Sequence, residues 1–133
     1  MSGPCRTIAL SPKDPRAYNN AAWLYAVEGK NLGEAQALAQ KAQELLPEGA
    51  EILDTLGFVY YQQREYQKAE PLLKRASELA GGNATIFYHL GMTYYRLGRR
   101  EEAASTLQRS LQLQETIPQA PEIRAVLADL RKS

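Results

Sequence analysis

The feature that most constrains this chain is a self-similarity at a spacing of 34 residues: Leu56-Gly57-Phe58-Val59-Tyr60-Tyr61 returns as Leu90-Gly91-Met92-Thr93-Tyr94-Tyr95. A fixed period of this length marks stacked supersecondary units, none of which can bury its apolar face alone. The two copies stay in step through Glu65-Tyr66-Gln67-Lys68-Ala69 and Arg99-Arg100-Glu101-Glu102-Ala103. They continue through Leu73-x-x-Ala76 and Leu107-x-x-Ser110 and close on Leu79 and Leu113. An earlier copy reads Ala21-Ala22-Trp23-Leu24-Tyr25, then Glu34-Ala35, Ala39-x-x-Ala42, Leu45 and Pro47, with one extra residue between Tyr25 and Ala35. The units therefore run 15–49, 50–83 and 84–117.

Each unit reads as two helices. In the second, Leu53, Leu56, Gly57 and Tyr60 fall at i, i+3, i+4 and i+7, one stripe of a 3.6-residue helix, and Ala69, Leu72, Leu73 and Ala76 repeat the spacing. Ala22, Gly57 and Gly91, set against Ala35, Ala69 and Ala103, let paired helices approach closely, which offsets the cost of a mid-helix glycine. Tyr60 and Tyr94 belong to this core stripe. Turns are expected at Gly29-Lys30-Asn31, Gln63-Arg64-Glu65 and Gly98-Arg99, and between units at Pro47-Glu48-Gly49 and Gly81-Gly82-Asn83. Pro71 is expected in the first turns of a helix starting near Tyr66, where backbone N–H groups lack intrahelical partners.

These residues resemble the tetratricopeptide repeat family, whose signature runs from a large residue through Leu-Gly/Ala and Tyr to Ala, an apolar residue, Ala and Pro. The resemblance implies an all-α fold, an α-solenoid wound as a right-handed superhelix of three helix-turn-helix units with a concave groove. Departures are modest: Gly81 and Glu115 stand where Pro47 stands in the first unit, and Ser110 replaces an alanine. The stretch 118–133 opens with Pro118-x-x-Pro121 and carries Ile123, Val126, Leu127 and Leu130 at helical spacing. It reads as a capping helix whose other face, with Glu122, Arg124, Asp129 and Arg131, shields the end of the stack. Residues 1–14 read as an extension or the remnant of an upstream repeat, because Leu10 and Pro12 keep register with Leu45 and Pro47.

Composition narrows the function classes. Sixteen basic and fifteen acidic side chains in 133 residues, evenly spread, give no polarised field for nucleic acid or an anionic membrane surface. No apolar run approaches the ~20 residues of a membrane span. One cysteine, Cys5, and one histidine, His89, leave no metal cluster, no internal disulfide and no convergent nucleophile and base, so no enzyme and no cofactor is expected. Cys5 reads as an exposed thiol, and His89 as a packing or groove residue. Met1–Arg6 lacks the charged-then-apolar pattern of a signal segment, which favours a cytoplasmic location.

The residues between core positions of the first helices are then the functional candidates. The resemblance implies that their registers line a peptide-binding concave face: Asn19, Asp54 and Tyr88; Asn20, Thr55 and His89; Trp23, Phe58 and Met92; Tyr61 and Tyr95; Val27, Gln62 and Arg96. Aromatic and methionine side chains suit interface anchors, so a Trp23–Phe58–Met92 ladder beside two tyrosines points to a groove for an amphipathic helix or apolar segment of a partner protein. The lysine, arginine and asparagine set with which some family members clamp terminal carboxylates is missing: Asn19, Trp23, Thr55, Thr85 and His89 occupy those registers. The alternative is a self-association module within a larger multi-repeat protein, giving a homo-oligomer.

Overall fold

The computed structural model describes residues 14–132, all of it helix and turn: α1 Pro15–Glu28, α2 Leu32–Leu45, α3 Ala50–Gln62, α4 Tyr66–Leu79, α5 Ala84–Arg96, α6 Arg100–Leu113 and α7 Ala120–Arg131. The helices pack as successive antiparallel pairs, α1 with α2, α3 with α4 and α5 with α6, each pair leaning on the next. The architecture is an all-α helical repeat solenoid, with α7 packed after the third pair. The expectations for Cys5 and for Leu10 and Pro12 concern positions outside the described residues.

Local chemistry sets the boundaries. The Asp14 carboxylate accepts from the Arg16 N–H (2.9 Å) and Pro15 opens α1, while Asn83 accepts from the N–H groups of Thr85 (3.0 Å) and Ile86 (3.2 Å) to start α5. Each intra-unit turn ends its first helix in the same way. A residue in the left-handed region recurs at one register, Gly29 (φ 69°), Arg64 (φ 65°) and Gly98 (φ 78°). The following N–H reaches back to the carbonyl of an equivalent tyrosine: Lys30 to Tyr25, Glu65 to Tyr60 and Arg99 to Tyr94. α4 starts at Tyr66 as expected, which makes Pro71 its sixth residue, just past the first four N–H groups that lack intrahelical partners. The proline removes a bond to the Gln67 carbonyl, and both residues are exposed, so water can serve that oxygen.

Close approach of paired helices rests on a size match. An added Cβ on Gly57 would lie 2.6 Å from Leu73 Cγ, and one on Gly91 would lie 2.6 Å from Leu107 Cγ. The leucines therefore fill the space the glycines vacate, somewhat further along the second helix than Ala69 and Ala103. The first unit has Ala22 and Ala39 at the same registers, both fully buried: an alanine pair replaces a glycine–leucine pair. Ser110, the departure from alanine in the third unit, is fully buried and donates to the Ala84 carbonyl (2.8 Å), tying α6 to α5. Tyr94 is buried as expected, and Tyr60 is half-buried between two core clusters.

Gly57→Ala is expected to destabilise the chain by about 1–3 kcal/mol, because its methyl meets Leu73. In a Leu73→Ala background the same change should stabilise by about 0.5–1 kcal/mol, since only helix propensity then counts. Urea unfolding of the four proteins measures both signs, and one sign in both backgrounds would remove Leu73 as the obstacle. Arg64→Gly is expected to raise stability by about 1 kcal/mol by relieving the only non-glycine residue at its register. An unchanged midpoint would show that the turn bears no strain.

Candidate functional site

The first helices α1, α3 and α5 carry side chains at the groove registers, and α7 follows them at the same period. Polar bonds 34–36 residues apart join neighbouring members of this row. Gln62 Nε2 donates to the Ala26 carbonyl (2.7 Å), Arg96 Nε to the Tyr61 hydroxyl (3.4 Å) and the Tyr95 hydroxyl to Asp129 Oδ2 (2.8 Å), while the Tyr88 hydroxyl bonds the Glu122 carboxylate. His89 Nδ1 lies 2.8 Å from Asp54 Oδ1, a bond between α5 and α3 in which a protonated Nδ1 donates. Much of the expected groove set is thus engaged in holding the row together.

The aromatic row begins on α1 and crosses to α5. The Trp23 ring lies 5.3 Å from Phe58 and 5.8 Å from His89; Phe58 stacks on His89 at 4.5 Å and on Tyr61 at 6.2 Å. Tyr88 lies 5.4 Å from His89 on the far side, and Tyr66 meets Tyr61 edge-on at 5.3 Å. Such spacings are those of favourable ring pairs. Trp23, Phe58, Tyr61 and Tyr88 are half-buried and keep a face toward solvent, whereas His89 is 4% exposed and is the hub of the cluster.

Met92 corrects the expected ladder. It is 3% exposed and packs in a core cluster with Ile123 and Val126 of α7, which lies over it as a further first helix would. On α5 the accessible rings are therefore Tyr88 and Tyr95, not a residue at the Met92 register. Thr55 is also buried, its hydroxyl donating to the Glu51 carbonyl (2.9 Å), while Asn20 and Val27 are exposed and Asn19 is 9% exposed. Glu122 and Asp129 were expected to shield the end of the stack, yet they bond Tyr88 and Tyr95 on α5. Their spacing of 34 residues from those tyrosines was a signal, because it repeats the period. Arg100 adds to the hold on α7 by donating to the Leu130 carbonyl (3.1 Å), at the negative end of that helix.

Two cavities lie along this face. One, of about 250 Å³, opens between Trp23 and Asn19 on α1, Glu51 and Asp54 on α3 and Asn83 before α5. The other, of about 360 Å³, lies at the opposite ends of α3 and α5 among Tyr61, Gln62, Arg64, Tyr66 and Arg96. Glu51, Asn83 and Tyr66 were not among the residues singled out from sequence, because each sits in or beside a turn, where periodicity carries no face information.

All three phenols of α5 ionise less readily than a free tyrosine, Tyr95 through its bond to Asp129. Burial, and then the Glu70 carboxylate, push Tyr94 up to about 12, and burial with the Glu122 bond raises Tyr88 further. A raised folded value means that the associated stability is complete below pH 10, the ordinary tyrosine value, and drains as pH climbs through the folded values. The melting temperature is expected to fall steadily above pH 10, and a Tyr88→Phe/Tyr94→Phe variant should flatten that fall. An unchanged alkaline slope would mean that these hydroxyls ionise as readily in the folded chain as in the unfolded one.

The comparisons agree with this architecture. A tetratricopeptide repeat family model matches residues 48–116. YrrB, described as a tetratricopeptide repeat protein with an unusual peptide-binding site, superimposes with a TM-score of 0.80 at 26% identity, over 97% of this chain and 64% of that one. The chain thus spans just under two thirds of that relative. The first repeat domain of RPAP3, bound to the HSP90 peptide SRMEEVD, gives a TM-score of 0.78 at 19% identity over 89% of this chain and 94% of that one. TTC0263, a thermophilic repeat protein of Thermus thermophilus, gives 0.75 at 22% identity over 98% of this chain and 70% of that one. No curated protein sequence matches the chain.

Proposed function

Because the chain belongs to the tetratricopeptide repeat family, we propose that it is a non-catalytic interaction module that takes a peptide or helix of another protein along the row formed by α1, α3 and α5. The observation that carries this reading is the run of half-buried rings from Trp23 through Phe58 to Tyr61 and Tyr88, with a cavity at each end. Half-exposed rings held by their neighbours offer a partner large contact area at little entropic cost. The Gln62, Arg96 and His89 bonds stiffen the surface before a partner arrives. YrrB is described as having a peptide-binding site and the RPAP3 domain is bound to a peptide, so proteins of this fold can take a peptide. Among the described residues, no helix is long and apolar enough to cross a membrane.

A second reading is favoured by one observation. Leu24 and Val27 on α1 are 60% and 54% exposed, whereas Val59 and Thr93, at the register of Leu24 in the later units, are fully buried by the preceding pair. This face, which no preceding helix among the described residues covers, supports self-association through α1. Sedimentation across a concentration series tests it: a mass that stays monomeric at every concentration would sink it.

For the groove, selection of displayed random 12-residue peptides against the full chain supplies probes of known sequence. Trp23→Ala is expected to weaken the selected peptides by about tenfold or more while shifting the melting temperature little, as for an interface anchor. Equal binding by the variant would move recognition off the aromatic row. A comparable loss of stability would make Trp23 a core residue.

A further inference from the structure

The cavity between α1 and α3 is furnished with acceptors. Asn19 Oδ1 is buried without a hydrogen-bond partner among the described residues, although its side chain lines the cavity. The Asp54 carboxylate, nearly buried, gives Oδ1 to His89, and the exposed Glu51 carboxylate makes no side-chain bond or ion pair within the described residues. No lysine or arginine lines this space. Arg16, which lines the neighbouring cavity, is paired with Asp14. The N-terminus of α3 borders the cavity, but its positive end amounts to roughly half a charge against two carboxylates. The N–H groups that open α5 are already taken by Asn83.

We infer that this cavity receives the guanidinium or ammonium group of an arginine or lysine side chain from the bound partner, an assignment that rests on the groove reading above. A planar or compact cation there meets Glu51 and Asp54, sits next to Asn19, whose buried oxygen lacks a donor, and lies beside Trp23, whose ring attracts cations through its quadrupole. Charge complementarity selects the occupant: an acidic segment would face Glu51 and Asp54 without compensation. Its cationic anchor enters at the α1–α3 end, and its apolar residues continue over Phe58 and Tyr61.

The test uses the peptides selected on the full chain, each resynthesised with arginine replaced by citrulline, which keeps the shape and removes the charge, and measured against the parent and Glu51→Gln by calorimetry at two salt concentrations. The expected result is enrichment of arginine or lysine at one position, about a tenfold loss on citrulline substitution, and a citrulline penalty that shrinks in Glu51→Gln. The chemical shifts of the Trp23 indole and of residues 50–55 should follow the basic position. Peptides that need Trp23 yet show no basic preference, or bind Glu51→Gln as selectively as the parent, would overturn the cation site and leave the groove standing. Peptides indifferent to Trp23→Ala would overturn the groove reading and this assignment with it. A dimer that forms without peptide and is lost in Glu51→Gln would make a second copy the occupant and equally overturn the proposal.

Discussion

Everything in this molecule follows from how near two antiparallel helices can come. At Gly57 and Gly91 no side chain stands between the backbones, and Leu73 and Leu107 occupy that space to within 2.6 Å of where a Cβ would be. A leucine so placed is wholly removed from water, which is worth on the order of 2 kcal/mol, more than a helical glycine costs. The first unit reaches the same closeness with Ala22 and Ala39. Two solutions to one volume constraint lie in a single chain, because summed size rather than residue identity is what a close-packed interior enforces.

That pairing fixes the roll of each first helix and therefore which side chains meet across the row. The lateral bonds of Gln62, Arg96, His89, Tyr88 and Tyr95 all span about one repeat. They reinforce the apolar contacts between these elements, and they satisfy polar groups that would otherwise be costly to cover. The same residues tie neighbouring units together and shape the surface they offer. Glu122 and Asp129 extend the pattern to α7, which continues the row as a fourth member and covers Met92.

The resulting face is uneven. Acceptors gather at the start of α3 around Asp54 and Glu51, rings occupy the middle, and Arg96 and Arg64 stand at the other end. The whole chain is close to neutral, so this gradient is local and is produced by which residues the packing brings side by side. A partner segment lying across it would meet opposite charges at its two ends, which favours one direction of binding over the reverse.

The period of 34, the pairing of helices and the turns were all legible in the sequence, because they are short-range patterns: a stripe every 3.6 residues and a break where the stripe stops. The glycines were legible as close-packing points, but not their leucine partners. The candidate groove was legible as a set of registers and no further. Whether Met92 faces a partner or a core depends on α7, and whether His89 is free or bound depends on Asp54 thirty-five residues away. Glu51 and Asn83 entered the site through the meeting of three helix ends, which no periodicity encodes. Sequence alone determined what repeats. Only tertiary structure decided which of the repeated side chains are covered by the neighbouring repeat and which remain for a partner, because coverage depends on contacts between residues one whole repeat apart.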